Sequence, residues 1–105
     1  MPYFALLYGV VDDFVARRVP FRAEHLRLAG EAHDRGDIVL AGALVEPVDT
    51  ALIIFHCAEK SVAEDFARRD PYVVNGLVQK WTVRPWTVVV GQTQEIASPS
   101  DGRLQ

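Results

Sequence analysis

Three histidines, one cysteine and fourteen acidic side chains supply the reactive groups of this 105-residue chain. His25 is the informative one. It falls among Phe21, Leu28, Ala29 and Ala32, apolar positions that form one stripe at helical spacing. An imidazole on such a stripe must satisfy its ring nitrogens. Two readings follow: a core-edge histidine bonded to a backbone carbonyl, or a general acid or base whose pKa is set by partial burial and a carboxylate. Asp70 is the candidate carboxylate. It precedes Pro71, and the residue before a proline is pushed out of helical geometry, which fixes Asp70 where the chain changes direction. A plain helix cap explains the same residue equally well.

The remaining reactive residues point to less. His33 sits two turns beyond His25, roughly 12 Å away by the helical rise, so the two cannot share a metal ion, and no metal site is expected. His56 precedes Cys57 on a strand, where neighbouring side chains point to opposite faces, so they form no base and nucleophile pair; Cys57 reads as structural. The seven glycines show no phosphate-cradling spacing, and no nucleotide or other cofactor is expected. Lys80, Trp81, Arg84 and Trp86 interleave bases with aromatics, but the strand Ala51-Leu-Ile-Ile-Phe-His-Cys57 lacks the signature of an RNA-recognition module. Packing is the expected use of Trp81 and Trp86, with one ring lining a small-molecule pocket.

The elements that must position these residues read as follows. Tyr3 to Val11 is a first strand, stopped by Asp12 and Asp13. Pro20 opens a helix that Gly36 ends. Asp37 to Glu46 and Thr50 to Ala58 form a hairpin across a proline-containing connection. Ser61-Val-Ala-Glu64 reads as a capping box for a second helix, which runs to Arg69. Asp70 then caps a short turn ending at Gly76. Leu77 to Val90 is the last strand, with Pro85 predicting an edge or a bulge. Residues 1 to 91 thus make one domain, and the polar stretch Gln92 to Gln105 reads as a loosely held tail.

The order βαββαβ is ferredoxin-like, an α+β fold with an antiparallel sheet and both helices on one face. The strands Phe4-Ala-Leu-Leu-Tyr8, Ile38-Val-Leu40 and Ala51-Leu-Ile-Ile-Phe55 are apolar on both faces, so something must cover the second one. A second copy packed sheet to sheet is the simplest cover, and a homodimer is expected.

Composition narrows the function further. Half the residues are hydrophobic, which suits a packed core. A net charge of −3 gives no positive field for a phosphate backbone, so nucleic acid is an unsuitable partner. The longest apolar run, Ile38 to Val45, is far below the roughly 18 residues of a membrane span. A lone cysteine and the lack of a basic region before Tyr3 suit a soluble, cytoplasmic protein.

Arg22-Ala-Glu-His25-Leu26, His33-Asp-Arg-Gly36, Leu40-Ala-Gly42, Asp70-Pro-Tyr-Val73 with Gly76-Leu-Val78, and Arg84-Pro-Trp86 together resemble the YciI-like (YCII-related) family. The similarity runs from about Tyr3 to Val90. Ala43 departs from the proline that the family often has after Ala-Gly. The resemblance implies a dimeric α+β barrel related to muconolactone isomerase-like proteins, with an active-site pair at His25 and Asp70. It also implies a lyase of aromatic degradation that eliminates HCl from a chlorinated hydroxyquinol. In that reading His25 is the base and Asp70 orients it and stabilises the imidazolium. Arg22 either holds an anionic oxygen or serves as a surface ion-pair partner, Trp86 contacts a small aromatic substrate, and no redox cofactor is needed. The alternatives are a non-catalytic metabolite-binding or assembly module, or a muconolactone isomerase-like enzyme.

Overall fold

The computed structural model describes residues 1 to 91. Four strands, β1 (Tyr3–Val10), β2 (Ile38–Ala43), β3 (Thr50–His56) and β4 (Val78–Trp86), form one antiparallel sheet in the order β2-β3-β1-β4. The helices are α1 (Phe14–Arg17), α2 (Arg22–Asp34), α3 (Lys60–Arg69) and α4 (Pro71–Val74), with a 3-10 turn at Val19–Phe21 before α2. This is the expected βαββαβ order. The single turn α1 is an addition to it.

Strict alternation in β1 builds the core. Phe4, Leu6, Tyr8 and Val10 are buried, and they cluster with Ile53 and Phe55 of β3, Leu28 and Ala32 of α2, and Ala63, Phe66 and Ala67 of α3. The helices therefore share one face. Ala5 and Leu7 point the other way, opposite Ile54 and Leu52 of β3 and Arg84 and Thr82 of β4. Among the described residues that second face carries no helix.

Most boundaries follow the sequence signals. Gly36, with φ of 90°, follows α2, and Pro85 lies in β4, an edge strand, where a residue without an N–H is tolerated. The strands are shorter than their apolar runs: β2 ends at Ala43, β3 at His56 and β4 at Trp86. Apolar residues beyond these points, including Leu44, Val45 and Val89, are exposed.

The capping box is not formed. The chain enters α3 directly from an extended Glu59 (φ −137°, ψ 149°), which places Ser61 already inside the helix. Its hydroxyl instead lies 3.4 Å from the Glu59 carboxylate. A serine caps only from a non-helical position, and the helix begins one residue before it. The expected tail, 92 to 105, lies outside the described residues.

Two glycines should respond oppositely to alanine. Gly76 has φ of 79°, whereas Gly30 lies on the exposed side of α2, where an added methyl group would meet nothing within 4 Å. Gly76→Ala should lower unfolding free energy by about 1 kcal/mol or more, and Gly30→Ala should raise it by roughly 0.5 to 1 kcal/mol. Urea unfolding of the two variants checks both signs.

Candidate active site

His25 lies one turn before Leu28 and two before Ala32, the buried residues of α2, so helical periodicity turns its ring toward the sheet. Asp70 reaches the same place for a different reason. Pro71 forbids continuation of α3, and Asp70 adopts an extended backbone (φ −66°, ψ 124°) between α3 and α4. Its Oδ1 accepts the Tyr72 backbone N–H at 3.0 Å, which caps α4.

The same carboxylate accepts two further hydrogen bonds. The Tyr8 hydroxyl donates to Oδ2 at 2.7 Å, and His25 Nδ1 lies 2.9 Å from Oδ1 and 3.0 Å from Oδ2. Asp70 is completely buried, while the His25 side chain is 14 % exposed. A carboxylate only accepts, so the proton of this contact belongs to Nδ1. Neutral His25 is thereby fixed as its Nδ1–H tautomer, with the Nε2 lone pair available. Nε2 makes no hydrogen bond to any described residue.

Ring packing fixes the orientation of the imidazole. The Tyr72 ring stacks on it with centroids 4.0 Å apart and planes 12° apart, and Phe14 meets Tyr72 edge-on at 5.3 Å. The single turn α1, which the sequence pattern does not predict, supplies that Phe14. A cavity of about 190 Å³ opens beside His25, walled by Tyr8, Phe14, Arg18, Arg22, Tyr72 and the β2 segment 41–43. Arg22 precedes His25 by three residues, which puts it on the same helix side.

Burial and the Asp70 carboxylate hold the Tyr8 phenol protonated, well above its ordinary pKa of 10.0. Burial also raises Tyr72, against the opposing pull of the Arg22 and Arg18 cations. Cys57 is buried, its Sγ lies 3.4 Å from the Glu59 carbonyl, and burial with nearby Asp37 raises its thiol pKa, which suppresses thiolate chemistry.

The structure brings His25, Asp70 and Arg22 together, but Trp86 lies elsewhere. Trp86 pairs with Tyr3, two residues in step with Ala5 and Leu7 on the helix-free face, and lines a larger cavity of about 640 Å³ there. Arg84 is the only ionisable group lining that cavity, so the assignment of the site follows its chemistry rather than its volume. Trp81 is on the helix side, with the Arg68 guanidinium 5.7 Å from its ring. His33 is exposed at the end of α2, and His56 Nε2 contacts the Met1 carbonyl at 3.0 Å while its ring stacks on Tyr3. Among the described residues no three His, Cys, Asp or Glu side chains are grouped to hold a metal ion, and no helix is long and apolar enough to cross a membrane.

Comparison with known proteins adds the family. The profile of the YCII-related domain matches residues 1–87. The chain belongs to the YCII-related family. A search of curated proteins finds no match. Among solved structures, the 5-chloro-2-hydroxyhydroquinone dehydrochlorinase of Burkholderia phenoliruptrix AC1100, in complex with 2,5-dihydroxybenzoquinone, superposes with a TM-score of 0.70. It is 16% identical, and the match covers 81% of this chain and 93% of that one. A candidate antibiotic biosynthesis monooxygenase from Deinococcus radiodurans superposes with a TM-score of 0.51 at 12% identity, over 89% of this chain and 97% of that one. These likenesses establish a shared fold for this YCII-related protein.

Tyr8, Phe14, Arg18 and Tyr72 are the site residues that the sequence did not single out for a role. A tyrosine on the buried face of a strand must find a partner for its hydroxyl, and that was the available signal for Tyr8. Tyr8→Phe should lower stability by about 2 kcal/mol near neutral pH, the loss expected for a hydrogen bond to a charged group. The folded-state pKa of Tyr8 is raised, so its contribution is complete below pH 10 and is lost as the unfolded chain ionises above it. The stability gap between wild type and Tyr8→Phe should therefore shrink as pH rises above 10, which denaturant unfolding at about pH 8 and about pH 11 measures.

Proposed function

We propose that this YCII-related protein is a cofactor-independent lyase that removes HCl from a chlorinated hydroxyquinol, with His25 as the proton-transferring base. The observation that carries the reading is the anchoring of His25 Nδ1 on a fully buried carboxylate, which leaves Nε2 without a protein partner beside the cavity. The shared fold with a dehydrochlorinase supports it.

The chemistry suits one mobile base. One ring hydroxyl loses its proton to Nε2, and a proton is added to the carbon bearing chlorine, giving the keto tautomer. A second hydroxyl then gives its proton to Nε2. The electrons of that O–H bond form a second carbonyl across the ring as the C–Cl bond breaks and its pair leaves as chloride. The sum is loss of HCl and formation of a hydroxyquinone, and no external oxidant is consumed. Asp70 stabilises the imidazolium formed in each transfer, and the Tyr72 stack keeps the ring in line. Arg22 offers a cation to a ring oxygen.

We further propose that the helix-free sheet face is covered by a second copy. Ala5, Leu7, Leu52 and Ile54 lie on it with Trp86, and Leu40 at its edge is 68% exposed. The buried, unpaired Cys57 suits a reducing cytoplasm.

With 5-chloro-2-hydroxyhydroquinone as substrate, His25→Ala should reduce the rate of chloride release by roughly 10² to 10⁴-fold while the protein stays folded. Asp70→Asn should reduce it less, and the double variant should resemble the worse single one, since the two residues act as a unit. Full activity in folded His25→Ala would contradict the proposal. Sedimentation at micromolar concentration should show a dimer; a folded monomer would contradict the covered face.

A further inference from the structure

The charges around the His25 cavity select a form of the substrate. Its wall contains two cationic side chains, Arg18 and Arg22, and no acidic one. Asp70 stands behind His25, enclosed by its three donors. In a chain of net charge −3 this is a local excess of positive charge.

Four other arginines are paired with carboxylates on the surface, while Arg69 and Arg84 are unpaired among the described residues but line no part of this cavity. Arg17 pairs with Asp13, Arg27 with Glu24 and Glu31, Arg35 with Asp37, and Arg68 with Asp65. Arg18 and Arg22 have no carboxylate partner among the described residues. Arg18 is held instead by packing, its guanidinium 5.2 Å from the centroid of the Phe14 ring that also supports Tyr72. A cation placed over an aromatic ring is positioned but keeps its charge and its donors. Imidazolium formation at His25 adds a third positive charge during each proton transfer.

We propose that Arg18 and Arg22 together form an anion subsite, and that the protein takes its ring substrate with one oxygen already ionised, as a phenolate. This rests on the assignment of the His25 cavity as the active site and deepens it by adding Arg18 and the charge state of the ligand. The step still balances. The ionised oxygen is a spectator that keeps its charge, two other hydroxyls supply the protons, chloride leaves with the C–Cl pair, and the hydroxyquinone departs as an anion. A guanidinium presents donors in a plane suited to such an oxygen, and two of them favour an anion over a neutral ring of the same shape.

The test uses two quinones of similar outline as probes. 2,5-Dihydroxybenzoquinone is an anion near neutral pH, and 2,5-dimethoxybenzoquinone is neutral. Calorimetric titration of wild type, Arg18→Met, Arg18→Lys and Arg22→Met, at fixed ionic strength, gives Kd for both. The dihydroxy probe should bind wild type at least roughly ten-fold more tightly than the dimethoxy probe. Arg18→Met and Arg22→Met should each weaken the dihydroxy probe by roughly ten-fold and move the dimethoxy probe by less than about two-fold, with Arg18→Lys between wild type and Arg18→Met. Met keeps the apolar stem against Phe14, and thermal unfolding of each variant reports the fold. Equal binding of both probes by wild type, or an unchanged Kd for the dihydroxy probe in folded Arg18→Met, would overturn the subsite. Chloride release assayed in parallel separates the two claims: anion preference without chloride release contradicts the elimination alone, and chloride release without anion preference contradicts the subsite alone.

Discussion

One buried carboxylate ties the parts of this protein together. Asp70 has no solvent exposure, and it accepts hydrogen bonds from β1 through Tyr8, from α2 through His25 and from α4 through the Tyr72 backbone. A charge so placed is tolerated only if each of its oxygens is satisfied. The requirement therefore runs outward into the fold. The break between α3 and α4 must occur at Pro71, β1 must present Tyr8 to the helices, and α2 must carry His25 on its inner stripe. The groups that make the carboxylate tolerable in the core are the groups that orient the imidazole, so stability and site geometry share the same hydrogen bonds.

The pleat of the sheet separates two tasks. Tyr8 and Leu6 face the helices and belong to the core and the site, while Leu7 and Ala5, one residue away, face the surface where Trp86 lies. A slip of one residue in β1 would remove Tyr8 from Asp70 and drive Leu7 into the helices, so the register is specified twice, by apolar burial and by a hydrogen bond. The charged mouth of the cavity is supplied by a third part of the chain, the short helical turns before α2 and the first residue of α2 itself, which carry Phe14, Arg18 and Arg22.

Much of this was legible in the sequence because it is local. The apolar, aromatic-rich run from Tyr3, the stripe through His25, Leu28 and Ala32, and the Asp70-Pro71 break each follow from residues within a few positions of one another. What was not legible depends on sequence-distant pairing. Tyr8 and Asp70 are 62 residues apart, and nothing in either segment alone names the other. The type of Trp86 suits a substrate contact, but its register opposite Tyr3 puts it on the sheet face away from His25, where it lines a separate cavity. The Ser61 capping signal failed for a local reason of a different kind: an extended Glu59 lets the helix begin earlier than the pattern requires. Phe14 through Arg18 was passed over because a single helical turn carries too few residues to show a period.

The account stands most directly on the proton of His25 Nδ1. Long-range proton–nitrogen correlation NMR on protein labelled with ¹⁵N-histidine reads which ring nitrogen carries hydrogen in the neutral form. The structure predicts a protonated Nδ1 and a bare, pyridine-type Nε2 for His25, with that preference weakened in Asp70→Asn. A neutral His25 protonated at Nε2, or an even mixture of tautomers that Asp70→Asn leaves unchanged, would contradict it.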